Sequence, residues 1–153
     1  MIPRYVHLIC LALIALAVLS APARAAELDP AIATYVLAKD IKWVTNTAGT
    51  NQTAVMYGDP TMPGLYIVRL KWLAGNMSRP HFHPNDRFIT VVSGTWWVGS
   101  GTKYDPNNTV PMPAGTFVKH FGKQVHYDGA KDEETVLLIT GEGPATSTPA
   151  EKK

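Results

Sequence analysis

The chain has 153 residues, 14 Lys and Arg against 12 Asp and Glu, a formal charge of +2 and a single cysteine. Arg4, Arg24 and Cys10 all precede residue 26, and beyond it basic and acidic residues balance. That excludes a basic footprint for nucleic acid or an anionic membrane, and it removes disulfides, thiol nucleophiles and thiolate ligands from the rest of the chain.

Residues 1–25 read as a signal peptide. Arg4 supplies a short basic start, the apolar run 8–19 is short for a bilayer span, and Ala23-Arg24-Ala25 is a cleavage signal. The expected mature start is near Ala26, in the periplasm or outside the cell, with no stable membrane contact after cleavage. Cys10 lies inside the apolar run and not at its end, which argues against a lipid-attachment site. Residues 26–143 are expected to form one domain around a single core.

A short helix is predicted over 31–42, with Asp29 as cap, Pro30 in the first turn, and Ile32, Tyr35, Val36 and Lys39 on one face. Residues 43–52 and 59–64 read as loops. From Leu65 the period becomes two. Tyr66, Val68, Leu70 and Trp72 alternate with Ile67, Arg69, Lys71 and Leu73, a half-buried strand. A second strand, 88–93, is apolar on both faces, as in a sandwich interior. Gly94 turns the chain into 95–98, and 104–113 is a loop with three prolines. Further strands are expected at 116–120, around Val125-His126 and at 135–140. Many short strands with few helices imply an all-β sandwich or barrel. The Pro/Ala/Thr/Ser-rich tail, 144–153, reads as disordered.

The chemistry is carried by Gly75-Asn76-Met77-Ser78-Arg79-Pro80-His81-Phe82-His83-Pro84-Asn85-Asp86-Arg87. His81 and His83 are two apart, so an extended strand sends both imidazoles to one face, where they make a pair of metal ligands. His120 and His126 are the other histidines past residue 25. No phosphate loop, nucleophile elbow or dinucleotide fingerprint is present, which leaves metal or acid–base chemistry.

This stretch resembles the first motif of the cupins, Gly-x5-His-x-His-x3-Glu-x6-Gly. Gly75, His81, His83 and Gly94 fall at the motif's intervals, and Arg87 stands where the motif has Glu. In the second motif only Gly115 and His126 survive. The resemblance covers about 55–143. It implies a jelly-roll β-barrel with a divalent transition metal between the sheets, held by His81, His83 and His126, with His120 as a nearby or fourth group. Iron, zinc and manganese all suit imidazole, so the metal's identity stays open.

Arg87 cannot ligate a metal, and three arrangements follow. Three imidazoles alone hold the ion while Arg87 grips an anionic substrate; or Asp86 turns inward as the oxygen ligand with Arg87 directed out; or the site is metal-free with Arg87 as the anion-binding charge. Asp86, Asp128 and Tyr127 are the acid–base candidates. Trp72, Trp96, Trp97, Tyr66 and Phe82 could line a pocket, although Trp96 and Trp97 are adjacent and only one can enter the barrel. The expected function is a metal-dependent enzyme on a small anionic molecule, a dioxygenase first and a lyase or isomerase next. The alternatives are a ligand-binding or sensing module without turnover, and a structural homodimer.

Overall fold

In a computed structural model, which describes residues 26–152, the chain is built of eleven β-strands and one 3-10 turn. The strands are β1 Val44–Thr45, β2 Asn51–Tyr57, β3 Gly64–Trp72, β4 His81–Phe82, β5 Arg87–Ser93 and β6 Thr95–Ser100. They continue as β7 Val110–Pro113, β8 Phe117–His120, β9 His126–Gly129, β10 Thr135–Gly143 and β11 Thr148–Pro149. Two antiparallel sheets result, one in the order β1-β2-β3-β10-β5-β8 and the other β11-β4-β9-β6-β7. The signal-peptide expectation falls on residues outside those described.

The core lies between the sheets. Alternation in β3 buries Tyr66, Val68 and Trp72, as the period of two predicts. They meet Ile89 and Val91 of β5, Leu137 and Ile139 of β10, and Trp96 of β6. Trp96 is fully buried, while Trp97 carries Lys131 Nζ over its ring at 3.9 Å. The expectation that β5 is buried on both faces does not hold. Phe88 and Val92 are 44% and 42% exposed, because nothing in the described chain covers the outer face of their sheet.

Besides the loop expected at 43–52, which carries β1 and the first two residues of β2, three other expectations change. The helix over 31–42 reduces to a 3-10 turn at Ala38–Asp40, since Leu37 gives no side-chain cap and no residue of the turn is buried. A short helix with no buried face lacks the packing that would offset its nucleation cost. Residues 26–35 form a separate unit in which Asp29 caps only a turn, accepting from the Ala31 N–H on its carboxylate and from the Ile32 N–H on its carbonyl. Within the loop expected at 104–113, Val110–Pro113 pairs as β7. It is a sheet edge, where Pro111 and Pro113 leave no interior ladder bond unmade.

The third change is the tail. In place of disorder, Thr148 and Pro149 pair with Phe82 and His81 of β4. Ala150 N–H donates to the Pro80 carbonyl at 2.8 Å, and Glu151 pairs with Arg79. Arg79 in turn lies 3.9 Å over the Tyr104 ring. The partners that order this strap come from distant parts of the chain, which composition cannot register.

Candidate metal centre

Register brings the histidines together. His81 on β4 stands directly opposite His126 on β9, and His83 follows two residues on from His81. Across the barrel, Arg87 on β5 stands opposite His120 on β8. One sheet therefore supplies three imidazoles and the other supplies a guanidinium and a fourth imidazole.

The tautomers of the three follow from their partners. His81 Nδ1 lies 2.8 Å from the Arg79 carbonyl, His83 Nδ1 2.8 Å from the Thr146 carbonyl, and His126 Nδ1 3.0 Å from the Gln124 carbonyl. A carbonyl only accepts, so each Nδ1 carries the proton and each neutral ring offers its Nε2 lone pair. Ligand atoms of these three rings all lie within 4.8 Å of one another, and His81 Nε2 is 3.1 Å from His83 Nε2. Two facing lone pairs repel unless a cation separates them. Nitrogens bound at about 2.0–2.1 Å to one tetrahedral ion would be roughly 3.3 Å apart. The donor set and its spacing therefore fit a divalent transition metal.

Burial favours the neutral form of His83, His120 and His126. It is the largest influence on His83, which is pushed down to about 3, and the Arg87 charge adds to it while the Thr146 bond opposes it. His120 is likewise pushed down to about 3, first by burial and then by the neighbouring His126, with Asp128 opposing and Arg87 adding to the fall. His126 is lowered by burial, again against Asp128.

Of the two candidates at 86 and 87, the structure brings in Arg87 and turns Asp86 out. Arg87 Nη2 lies 3.2 Å from His120 Nδ1 and 3.4 Å from His126 Nε2. Burial draws its pKa below the ordinary arginine value while Asp128 pulls it back up, and a guanidinium stays charged at neutral pH. Asp86 Oδ1 accepts the Gly122 N–H at 2.8 Å and Oδ2 pairs with Lys119 Nζ at 2.8 Å. Those bonds use the carboxylate as a surface brace, and they correct its assignment as ligand or catalytic group.

Asp128 is the second charge of the site. It is 4% exposed and accepts from Trp96 Nε1 at 2.9 Å and Ser78 Oγ at 3.0 Å. Burial alone would raise its carboxyl, but His126, His81, Arg87 and His120 outweigh that and hold it below the ordinary range. Tyr127 has a structural job instead, its hydroxyl donating to the Asp105 and Asn108 carbonyls.

A cavity of about 380 Å³ opens on this cluster, with His81, His83, Arg87 and Asp128 in its wall. Trp72 and Trp96 line it as expected, whereas Tyr66 lines a neighbouring cavity that shares Arg87. Ser147 and Pro149 of the strap form another part of the wall, a contribution the sequence reading missed. With neutral imidazoles, Arg87 and Asp128 cancel, and a bound divalent ion would leave the site with a net charge of +2.

Two sheets, a convergent histidine set and its position inside the barrel decide the architecture, and solved structures agree. The polyketide cyclase RemF from Streptomyces resistomycificus is similar at a TM-score of 0.64 and 12% identity, covering 79% of this chain and 87% of that one. This is the cupin fold. An RmlC-like cupin from Ralstonia eutropha JMP134 matches at a TM-score of 0.55 and 18% identity, over 72% of this chain and 68% of that one. The DMSP lyase DddQ from Ruegeria pomeroyi DSS-3 matches at 0.57 and 14%, over 73% of this chain and 64% of that one. No protein-family model matches the sequence, and no curated protein does. Within the cupin fold this chain departs at Arg87, which sets a cation where the resembled motif has a carboxylate.

Proposed function

We propose that the protein is an exported, metal-dependent enzyme that acts on a small anionic molecule by acid–base chemistry of the lyase, cyclase or isomerase kind. One observation carries this reading. Three Nε2 lone pairs converge beside a guanidinium in the wall of a cavity of substrate size. His81, His83 and His126 would hold the ion, which supplies a Lewis acid that polarises a substrate oxygen. Arg87 takes the substrate's anion, since its fork suits a carboxylate and, among the described residues, no side-chain carboxylate pairs with it. Asp128 balances Arg87 when the cavity is empty and holds a proton-accepting oxygen in its wall.

The likeness in fold to a polyketide cyclase and a DMSP lyase supports chemistry without oxygen insertion. Dioxygenation stays as a second reading because a three-imidazole set with open positions also suits iron(II). The export half of the proposal rests on Arg4, the apolar run 8–19 and Ala23-Arg24-Ala25.

Metal analysis of protein taken from its own compartment tests both halves. About one transition-metal ion per chain is expected, lost in the His81→Ala, His83→Ala double variant, on a chain whose mass begins near Ala26. Metal content well below one and indifferent to those substitutions would remove the enzyme reading. Turnover with zinc under anaerobic conditions would separate the first chemistry from dioxygenation.

A further inference from the structure

The three lone pairs that would hold the ion are not equally free. His81 Nε2 and His83 Nε2 face each other at 3.1 Å, but His126 Nε2 has Arg87 Nη2 at 3.4 Å. His126 gives its Nδ1 proton to the Gln124 carbonyl, so Nε2 offers only a lone pair and the guanidinium is the donor. Nη2 carries two hydrogens, and its other partner is His120 Nδ1 at 3.2 Å. Register fixes the guanidinium at this spot, since Arg87 stands between His120 of β8 and Gly141 of β10, which has no side chain. Its Nε is sealed off without a partner, which leaves Nη1 as the nitrogen that a ligand in the cavity can reach.

We infer that Arg87 is a gate on the third metal ligand and that a carboxylate in the cavity opens it, so that metal and carboxylate bind cooperatively through this one side chain. One lone pair cannot serve a guanidinium hydrogen and a metal ion at once. Metal binding therefore breaks the contact between Arg87 and His126 and sets a dication beside a fixed positive charge. Asp128 offsets part of that charge but makes no hydrogen bond to Arg87, its oxygens being taken by Ser78 and Trp96. A carboxylate that reaches Nη1 completes a two-pronged bond with a hydrogen of Nη2, and the contact it displaces is the longer one, to His126. It also cancels the charge that repels the ion. Both effects act in the same direction, and linkage makes them reciprocal: the anion tightens metal by the factor with which metal tightens the anion. This inference rests on the metal-and-anion reading proposed above and assigns the regulation of that site.

Zinc affinity of the full protein, measured by chelator competition with and without millimolar anion at constant ionic strength, tests it with two probes. These are propionate and methanesulfonate, the second chosen because a sulfonate pairs with a guanidinium but is a poor metal ligand. Each is expected to raise zinc affinity about tenfold, within the span of about 5–150-fold usual for coupled sites. Calorimetric titration of either anion into zinc-loaded and zinc-free protein should return the same factor. Arg87→Met removes the charge and the donor at similar length. It should bind zinc without anion about as tightly as the parent does with methanesulfonate, and methanesulfonate should no longer change its affinity. A parent affinity unmoved by methanesulfonate overturns the inference without any variant. So does a response to propionate alone, which would mean that the carboxylate meets the ion directly, or a methanesulfonate response that survives Arg87→Met. Metal content of the native protein keeps the two readings apart. A full metal complement with no linkage to anion would remove this inference and leave the enzyme. Linkage in zinc-loaded protein whose native form holds no metal would do the reverse.

Discussion

The carbonyl of Thr146 lies 2.8 Å from His83 Nδ1, so a residue of the C-terminal strap fixes the tautomer of a candidate metal ligand. Partners of this kind orient the ring and raise its basicity, and their loss typically weakens metal binding by about 10–100-fold. A chain stopped after Ala145 keeps the contact of that residue with the core and loses the Thr146 carbonyl. Its metal affinity, measured by chelator competition, should fall by that factor while its melting temperature changes little. Unchanged affinity would mean that the strap only covers the site.

The strap also marks where sequence reading stops. His81 and His83 were legible because a strand's period of two puts both on one face, and the structure pairs His81 with His126 as the motif spacing implies. Which of Asp86 and Arg87 faces the site was not legible. Both adjoin the Pro84-Asn85-Asp86 turn, and the phase of the strand is set only by pairing Arg87 with His120 and Gly141. The tail 144–152 has the composition of a disordered segment, and its two-residue strand exists only because β4 offers a free edge. Trp72 was legible as a core residue, but its unpartnered indole N–H appears only once its neighbours are in place.

Exchanging the cation at 87 for the motif's carboxylate should tighten metal binding. Arg87→Glu removes a positive charge beside His126 and adds an oxygen donor, so affinity should rise about tenfold or more. Anion binding should fall in the same variant. Asp86→Ala should leave metal affinity where it was and change stability little, since Asp86 is held in an exposed pair with Lys119. Metal titration of the parent and both variants checks this, and metal loss in Asp86→Ala would contradict the geometry described.

Acid should destabilise the metal-free protein well above the pH at which its own histidines protonate. His83 and His120 fall from 6.5 to about 3 in the folded chain, chiefly through burial. Between about 6.5 and 3 the unfolded chain therefore binds protons that the folded chain does not, and folding free energy is lost as pH falls through that window. Above 6.5 neither state takes up these protons and stability is flat with respect to them. Thermal melts of chelated protein should show a falling midpoint from about pH 6.5 downward. A shallower fall is expected in His120→Asn, and an identical slope there would remove His120 from the account.

Tyr66, Gly141 and Arg87 lie in register across β3, β10 and β5, and the middle one has no side chain. The gap is filled by the Tyr66 ring. A methyl group on Gly141 would meet Tyr66 Oη at 2.6 Å and Cζ at 2.8 Å. Tyr66 is 2% exposed, and burial raises its phenol above the ordinary range while the nearby Arg87 charge lowers it. Gly141→Ala should therefore push the phenol off the glycine and crowd Arg87, without contact with any of the three ligand histidines. A cost of about 1–3 kcal/mol is expected, typical of overpacking. Binding of a simple carboxylate such as octanoate should weaken several-fold while metal affinity holds. Tyr66→Phe in the same background removes the hydroxyl oxygen that makes the closest contact and should recover part of both losses. If Gly141→Ala instead releases metal and leaves carboxylate binding intact, then Tyr66 and Arg87 do not share the anion end of the cavity.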